Sequence, residues 1–353
     1  MHKRLSSLLF TLILIGATHL SAQIGGRYTY EFLGNPQSAR LTALGGSLIT
    51  IADQDITLAA ANPALLSDTS HNQVTFNHNF AFADGSNGYI GYARNLEKLD
   101  INAHVGISYT SFGEFTAADE LGNDQGTFTG SETAVTFGAS KQLNERITVG
   151  ANIKGVFGSL ETYSSFGIGA DLGLLYQKPG SNHSIAFVAK NIGGEISAYG
   201  DESASLPLDI QIGYSQKLQH LPFRFTIIAH QLQRWGIRYD DPNVVQTESL
   251  FGEEPEEPSS FNNELDNFFR HFIFNGEFLL GKTQGFKLRF GYNHLRRKEL
   301  SLSNFRSLAG FSVGFGLRIK GINIDYGLGY FHLAGAANHL SVQTNLNRFF
   351  RKF

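Results

Sequence analysis

The sequence of 353 residues contains no cysteine. That excludes a disulfide scaffold and thiol chemistry, while leaving an oxidising compartment open to it. Charge is also scarce. Asp, Glu, Lys and Arg make up 17% of residues and the formal net charge is -3. No basic patch interleaves with aromatics, so nucleic acid is not an expected partner. After the first 22 residues no apolar run approaches the roughly 18–20 residues that a membrane-crossing helix needs. Catalytic signatures are missing as well. Neither a serine nucleophile elbow nor a phosphate loop occurs, and Gly45-Gly46 lacks a following Lys-Ser/Thr, so it reads as a turn. No catalytic, cofactor-binding or metal-ligating set emerges. Asp119, Glu120, Asn123 and Asp124 carry suitable oxygens, but their irregular spacing around Gly122 and Gly126 does not form a calcium loop. His271, His294 and His332 stand apart from one another and read as solvated or girdle histidines.

Glycine, at 39 residues, and aromatics, at 12%, are plentiful. Residues 1–22 have the form of a secretory signal: basic His2, Lys3 and Arg4, an apolar core Leu8–Ile15, and Ser-Ala before Gln23. No cysteine sits at the cleavage point to carry a lipid anchor.

From about residue 71 the chain alternates with period two, which is strand geometry. In the stretch Ile322–Tyr330, Ile322, Ile324, Tyr326, Leu328 and Tyr330 share one face, while Asn323, Asp325, Gly327 and Gly329 share the other. One greasy face and one polar or very small face suit either an antiparallel sandwich or a membrane barrel. Fourteen such segments are predicted, near 71–81, 87–96, 100–112, 130–141, 144–157, 162–177, 182–192, 206–218, 222–235, 268–280, 285–294, 306–319, 321–333 and 339–349. Most are longer than ordinary strands and match a tilted bilayer crossing. Connections after even-numbered strands are short, whereas long ones fall at about 113–129, 193–205, 236–267 and 295–305. This asymmetry is that of periplasmic turns and external loops. Charges such as Lys154, Arg289, Arg318 and Asp325 fall on the inward series, and the chain ends on the aromatic Phe353. The expectation is therefore an all-β, 14-stranded antiparallel β-barrel in the cell outer membrane, its strands within 71–353 and its surface in contact with membrane lipid.

Residues 23–70 lack this periodicity and bulk. They are expected to form an N-terminal plug that enters the lumen from the periplasmic side, since side chains alone do not fill a barrel of this size. Within them Leu41–Gly46 allows a short helical turn, and Asn62-Pro63 marks a kink or an element end. In the longest loop, Glu253, Glu254, Glu256 and Glu257 form an acidic tract with a solvated reading and a cation- or partner-binding one. Ser259 or Ser260 can cap a short helix running to Phe268 and Phe269. That pair suits packing over the barrel mouth or contact with a partner.

Ser38-Ala39-Arg40 with Ala43-Leu44-Gly45-Gly46 and Asn62-Pro63-Ala64 resembles the start of the FadL-like outer-membrane barrel superfamily. Gly26–Leu33, Leu206-Pro207, Pro222–Phe225 and His230–Arg234 are similar to its PorV/PorQ branch. The branch resemblance implies a non-enzymatic component of the type IX secretion and surface-attachment complex. Its implied partners are a PorU-like sortase and PorZ-like and PorV-like components, with lipopolysaccharide as the attachment target. The wider superfamily implies uptake of long-chain fatty acids or other hydrophobic compounds, with Asn62, Pro63 and Ala64 matching its kink motif.

Overall fold

The computed structural model describes residues 28–80, 85–200, 203–238, 260–300, 308–332 and 335–350. The signal sequence, the acidic tract with Glu253 and Glu254, and Phe353 lie outside the described residues. Fourteen antiparallel strands close into one barrel, with β1 hydrogen-bonded to β14. They are β1 Gln73–Phe80, β2 Ser86–Leu96, β3 Ile101–Ala118, β4 Asp124–Asn144, β5 Ile147–Leu160, β6 Tyr163–Tyr176 and β7 His183–Ser197. The second half is β8 Asp209–Lys217, β9 Phe223–Ala229, β10 Phe272–Leu280, β11 Phe286–Asn293, β12 Phe311–Ile319, β13 Ile322–His332 and β14 Gly335–Asn345. Closure removes the free edges that a sandwich would keep.

Alternation sets the two faces. On β10, Ile273, Asn275, Glu277 and Leu279 are buried within the barrel, while Phe278 on the opposite face is exposed. Phe137, Ile153, Phe157, Leu172, Phe290 and Val313 form part of the same exposed apolar exterior. A water-soluble protein would not leave such a belt uncovered. A lipid-facing barrel requires it, because lipid satisfies no backbone group and only a closed ladder does. The molecule is thus a multi-pass outer-membrane barrel.

Two connections differ from the sequence pattern. The segment 113–129 is mostly strand. β3 and β4 continue pairing beyond Ser111 through Glu114↔Thr129, Phe115↔Phe128 and Thr116↔Thr127. A register shift near Gly113, which has φ 82°, absorbs the irregularity that hid this alternation, and Phe115 stacks on Phe128 at 5.3 Å. β9, conversely, stops at Ala229 rather than near residue 235. The long connections that remain, 198–208, 230–271 and 294–310, all lie at one end. Their described residues include two helices, here α3 Ser260–Arg270 and α4 His294–Glu299.

Before the barrel, the N-terminal segment carries α1 Ala39–Ala43 and α2 Leu58–Ala61. Ser38 starts α1 by accepting from Leu41 N, and Gly45 and Gly46, both at positive φ, end it. Asn62 ends α2 and caps the 3-10 turn Pro63–Leu65, its Oδ1 accepting from Ala64 N at 3.0 Å. Proline here needs no N–H, which is why the motif tolerates it.

Candidate functional site

The inward face of the barrel is built to hold the N-terminal segment. Leu41, Leu44, Leu48, Ile49, Leu58 and Leu65 cluster with Leu175, Val188, Ile228 and Ile273 of the wall. Backbone groups in such a place need partners, and the wall's short polar side chains supply them. Ala39 N donates to Ser341 Oγ at 2.8 Å and Gly45 N to Ser312 Oγ at 2.9 Å. Asn275 and Asn293 donate to the carbonyls of Ser47 and Gly45, Asn152 to that of Ala59, and Ser184 to that of Thr50. The inward glycines serve the same contact. A Cβ on Gly291 would stand 2.1 Å from Gly45 N, and one on Gly327 2.1 Å from the Ala39 carbonyl oxygen.

A group of ion pairs joins the N-terminal segment to β9, β10, β11 and β13 toward the short-turn end. Arg40 of α1 is only 2% exposed. Its Nη1 lies 2.8 Å from Asp53 and 3.3 Å from Asp55, and its Nε 3.3 Å from Glu277. Glu277, equally buried, also accepts from Arg289 Nε at 3.1 Å and from Arg224 Nε at 2.9 Å, and Arg289 continues to Asp325. One carboxylate thus ties three guanidinium groups from the N-terminal segment, β9 and β11. Burial opposes the charge on Arg40, but Asp53, Glu277 and Asp55 outweigh it and hold the group well above the usual arginine range. Asp53 is held below the usual carboxylate range: burial pushes it up, and Arg40 more than reverses this.

Toward the loop end lies a cavity of about 460 Å³ whose wall includes Pro36, Phe112, Phe331 and Ala337. Arg296 of α4 reaches this cavity and a neighbouring polar one of about 400 Å³ that includes Lys190, Asp209 and Glu299. The Arg296 guanidinium sits 4.0 Å above the Phe331 ring and has no hydrogen-bonded acceptor among the described residues. Burial presses it down to about 10, against the pull of Glu299, so it stays charged at neutral pH. An apolar-walled cavity with one undischarged guanidinium suits a molecule with a greasy body and an anionic end.

Of the residues singled out in the sequence, Gly45, Gly46, Asn62, Pro63 and Ala64 all belong to the lumen-facing segment. Gly45 seats against β11, while Pro63 and Ala64 lie against Gly150 of β5. Phe268 and Phe269 do not cover the barrel mouth; they are exposed on α3 and pack beside Phe272 at the outer surface. His271 is buried rather than solvated, its ring nitrogens 2.8 and 3.2 Å from the carbonyl oxygens of His230 and Trp235. Asp119 accepts from Leu121 N, Asn123 N and Asn123 Nδ2, so its oxygens close a turn. Among the described residues no group of three or more His, Cys, Asp or Glu is placed to hold a metal. Arg296, Phe331 and Glu277 escaped the sequence reading. The basic run Arg296-Arg297-Lys298 was a visible signal; the ring and carboxylate that meet the arginines come from distant strands.

The fold and lumen define a closed outer-membrane barrel occupied by its own N-terminal segment. Comparison with solved structures finds the same architecture in known barrels. The chain is similar to the Pseudomonas putida toluene transporter TodX, with a TM-score of 0.51 at 13% identity over 88% of this chain and 96% of that one. A deltaS2 mutant of the TodX monoaromatic hydrocarbon channel superposes with a TM-score of 0.52, also at 13% identity, over 88% and 97% of the two chains. No protein-family model matches the sequence, and no curated protein matches it.

Proposed function

We propose that the protein is a non-enzymatic FadL-like channel that admits hydrophobic or amphipathic compounds, long-chain fatty acids among them, through the loop-end cavity. The N-terminal segment acts as its plug. The observation that carries this reading is Arg296, charged and without an acceptor among the described residues, over Phe331 in a cavity that Phe112 also lines. A carboxylate would meet the guanidinium while its alkyl chain lies along the rings. The ion pairs around Glu277 hold the segment in the lumen, so axial passage would involve movement of the segment, and the alternative is a lateral exit. The test is equilibrium binding of a fluorescent fatty acid to the refolded protein. Arg296→Met should weaken binding about tenfold or more, the loss of roughly 1.5–3 kcal/mol for a charge-assisted bond. Equal affinity in both proteins, or no binding to either, would refute it.

A second reading is a scaffold in the type IX secretion and surface-attachment complex, PorQ-like in kind. It would dock a PorU-like sortase with PorZ-like and PorV-like components near lipopolysaccharide. The ion pairs that fix the N-terminal segment in the lumen support it, because a scaffold needs no open lumen, and so do the sequence motifs. Co-purification from outer membranes separates the two readings: recovery of such partners with no fatty-acid binding would select the scaffold.

A further inference from the structure

Helix α3 is amphipathic in the inverted sense. Its polar face points into the protein. Asn267 is buried, donating to the Trp235 carbonyl at 2.8 Å and accepting from Ile237 N at 3.1 Å. Asp266 accepts from Arg270 and pairs with Lys298 at 2.9 Å. Its apolar residues Phe261, Leu265, Phe268 and Phe269 fall at i, i+4, i+7 and i+8, one stripe of a helix. All four are exposed, Phe261 by 70%.

The stripe does not end at the helix. Phe268 lies 4.9 Å from Phe272, which lies 6.1 Å from Phe274, and Phe274 is 6.5 Å from Tyr292. Phe272 and Phe274 share the outward face of β10 with Phe278. Trp235, 62% exposed, joins at the other end, 6.2 Å from Phe268. The lipid-facing belt therefore runs without interruption from the barrel wall onto α3.

We infer that α3 lies in the outer leaflet of the membrane, its Phe261–Phe269 stripe covered by lipid acyl chains. Acyl chains are the occupant because the stripe is continuous with a surface that acyl chains already cover. The polar anchors of the opposite face fix the helix from the protein side, as an interfacial helix needs. At 11 residues the helix is about 16 Å long at 1.5 Å per residue, enough to raise the apolar wall locally above β9–β11.

The absence of cysteine makes the test clean. Single variants Phe261→Cys, Leu265→Cys and Phe269→Cys of the full mature chain are labelled with bimane and reconstituted in phosphatidylcholine vesicles containing doxyl-labelled lipid. Phe278→Cys on the wall and Leu121→Cys at the tip of the β3–β4 hairpin, 88% exposed, give the two limits. Altered electrophoretic mobility of the unheated protein confirms folding of each variant. Quenching at 261, 265 and 269 should fall within about twofold of position 278, as burial at the acyl boundary predicts. Quenching equal to that of position 121 would overturn the inference. So would protection of the same cysteines from a polar thiol reagent in native outer membranes but not in vesicles, which would make a protein the occupant.

Discussion

Glu277→Gln is the sharpest probe of how the N-terminal segment is held. Wild-type Glu277 is about 2% exposed and meets Arg40, Arg224 and Arg289. The amide keeps the size of the side chain and removes its charge, leaving the buried Arg40 and Arg289 and the half-buried Arg224 short of one shared acceptor. Breaking a buried pair in this way costs about 3–5 kcal/mol, because the surviving charges stay desolvated. At about 1.4 kcal/mol per tenfold change, the folded population relative to the unfolded should fall by a factor of about a hundred to a few thousand. The assay is urea unfolding of vesicle-refolded protein, with tryptic cleavage after Arg40 as a local readout. Arg40→Met, alone and combined with Glu277→Gln, completes a double-mutant cycle. The segment should become cleavable at urea concentrations that leave the wild type intact, and the two substitutions should be strongly non-additive. An unchanged midpoint with an uncut segment would refute the view that this carboxylate joins segment to barrel. So would simple additivity.

Gly291→Ala should loosen the same segment by another route, at a cost of about 1–3 kcal/mol for an overpacked contact. Its new Cβ has backbone rather than a flexible side chain in its way; equal tryptic protection of variant and wild type would contradict this. Asp266 governs α3 under acid. Burial pushes its pKa up, but hydrogen bonds from Lys298 and Arg270 overcome this and hold it at about 2. A carboxylate depressed from an unfolded value of about 3.9 adds stability that is complete above that pH and is lost as pH falls toward 2. Emission from Trp235, whose carbonyl accepts from Asn267, should therefore shift between pH 4 and 2, and Asp266→Asn should abolish that shift. A variant that titrates like the wild type would show that another group is responsible.

The number and faces of the strands could be read from the sequence because period-two alternation is local, and a barrel wall imposes it on every strand. The turn at Gly45-Gly46 and the break at Asn62-Pro63 were readable for a similar reason, each depending on a few adjacent residues. The β3–β4 hairpin was not, since the shift near Gly113 changes which residues face each way. The lumen was harder still. Arg40 and Glu277 are 237 positions apart, and nothing local in Gly-Glu-Phe distinguishes a buried three-arginine acceptor from a surface carboxylate. The glycines and serines of the inward face do not by themselves say what lies against them. They are small because a backbone lies against them.

That last feature bears on how the barrel is filled. Gly150, Gly213, Gly291, Gly314 and Gly327 sit on five different strands, each shaped to a segment that precedes every strand in the chain. Ser312, Ser341, Asn152 and Asn275 would lose these backbone partners in an empty cylinder. The segment is less a stopper for a smooth tube than the relief to which the inner wall is cut. The β1–β14 seam completes the wall around that segment, so the inner face of the closed barrel is already matched to its contents.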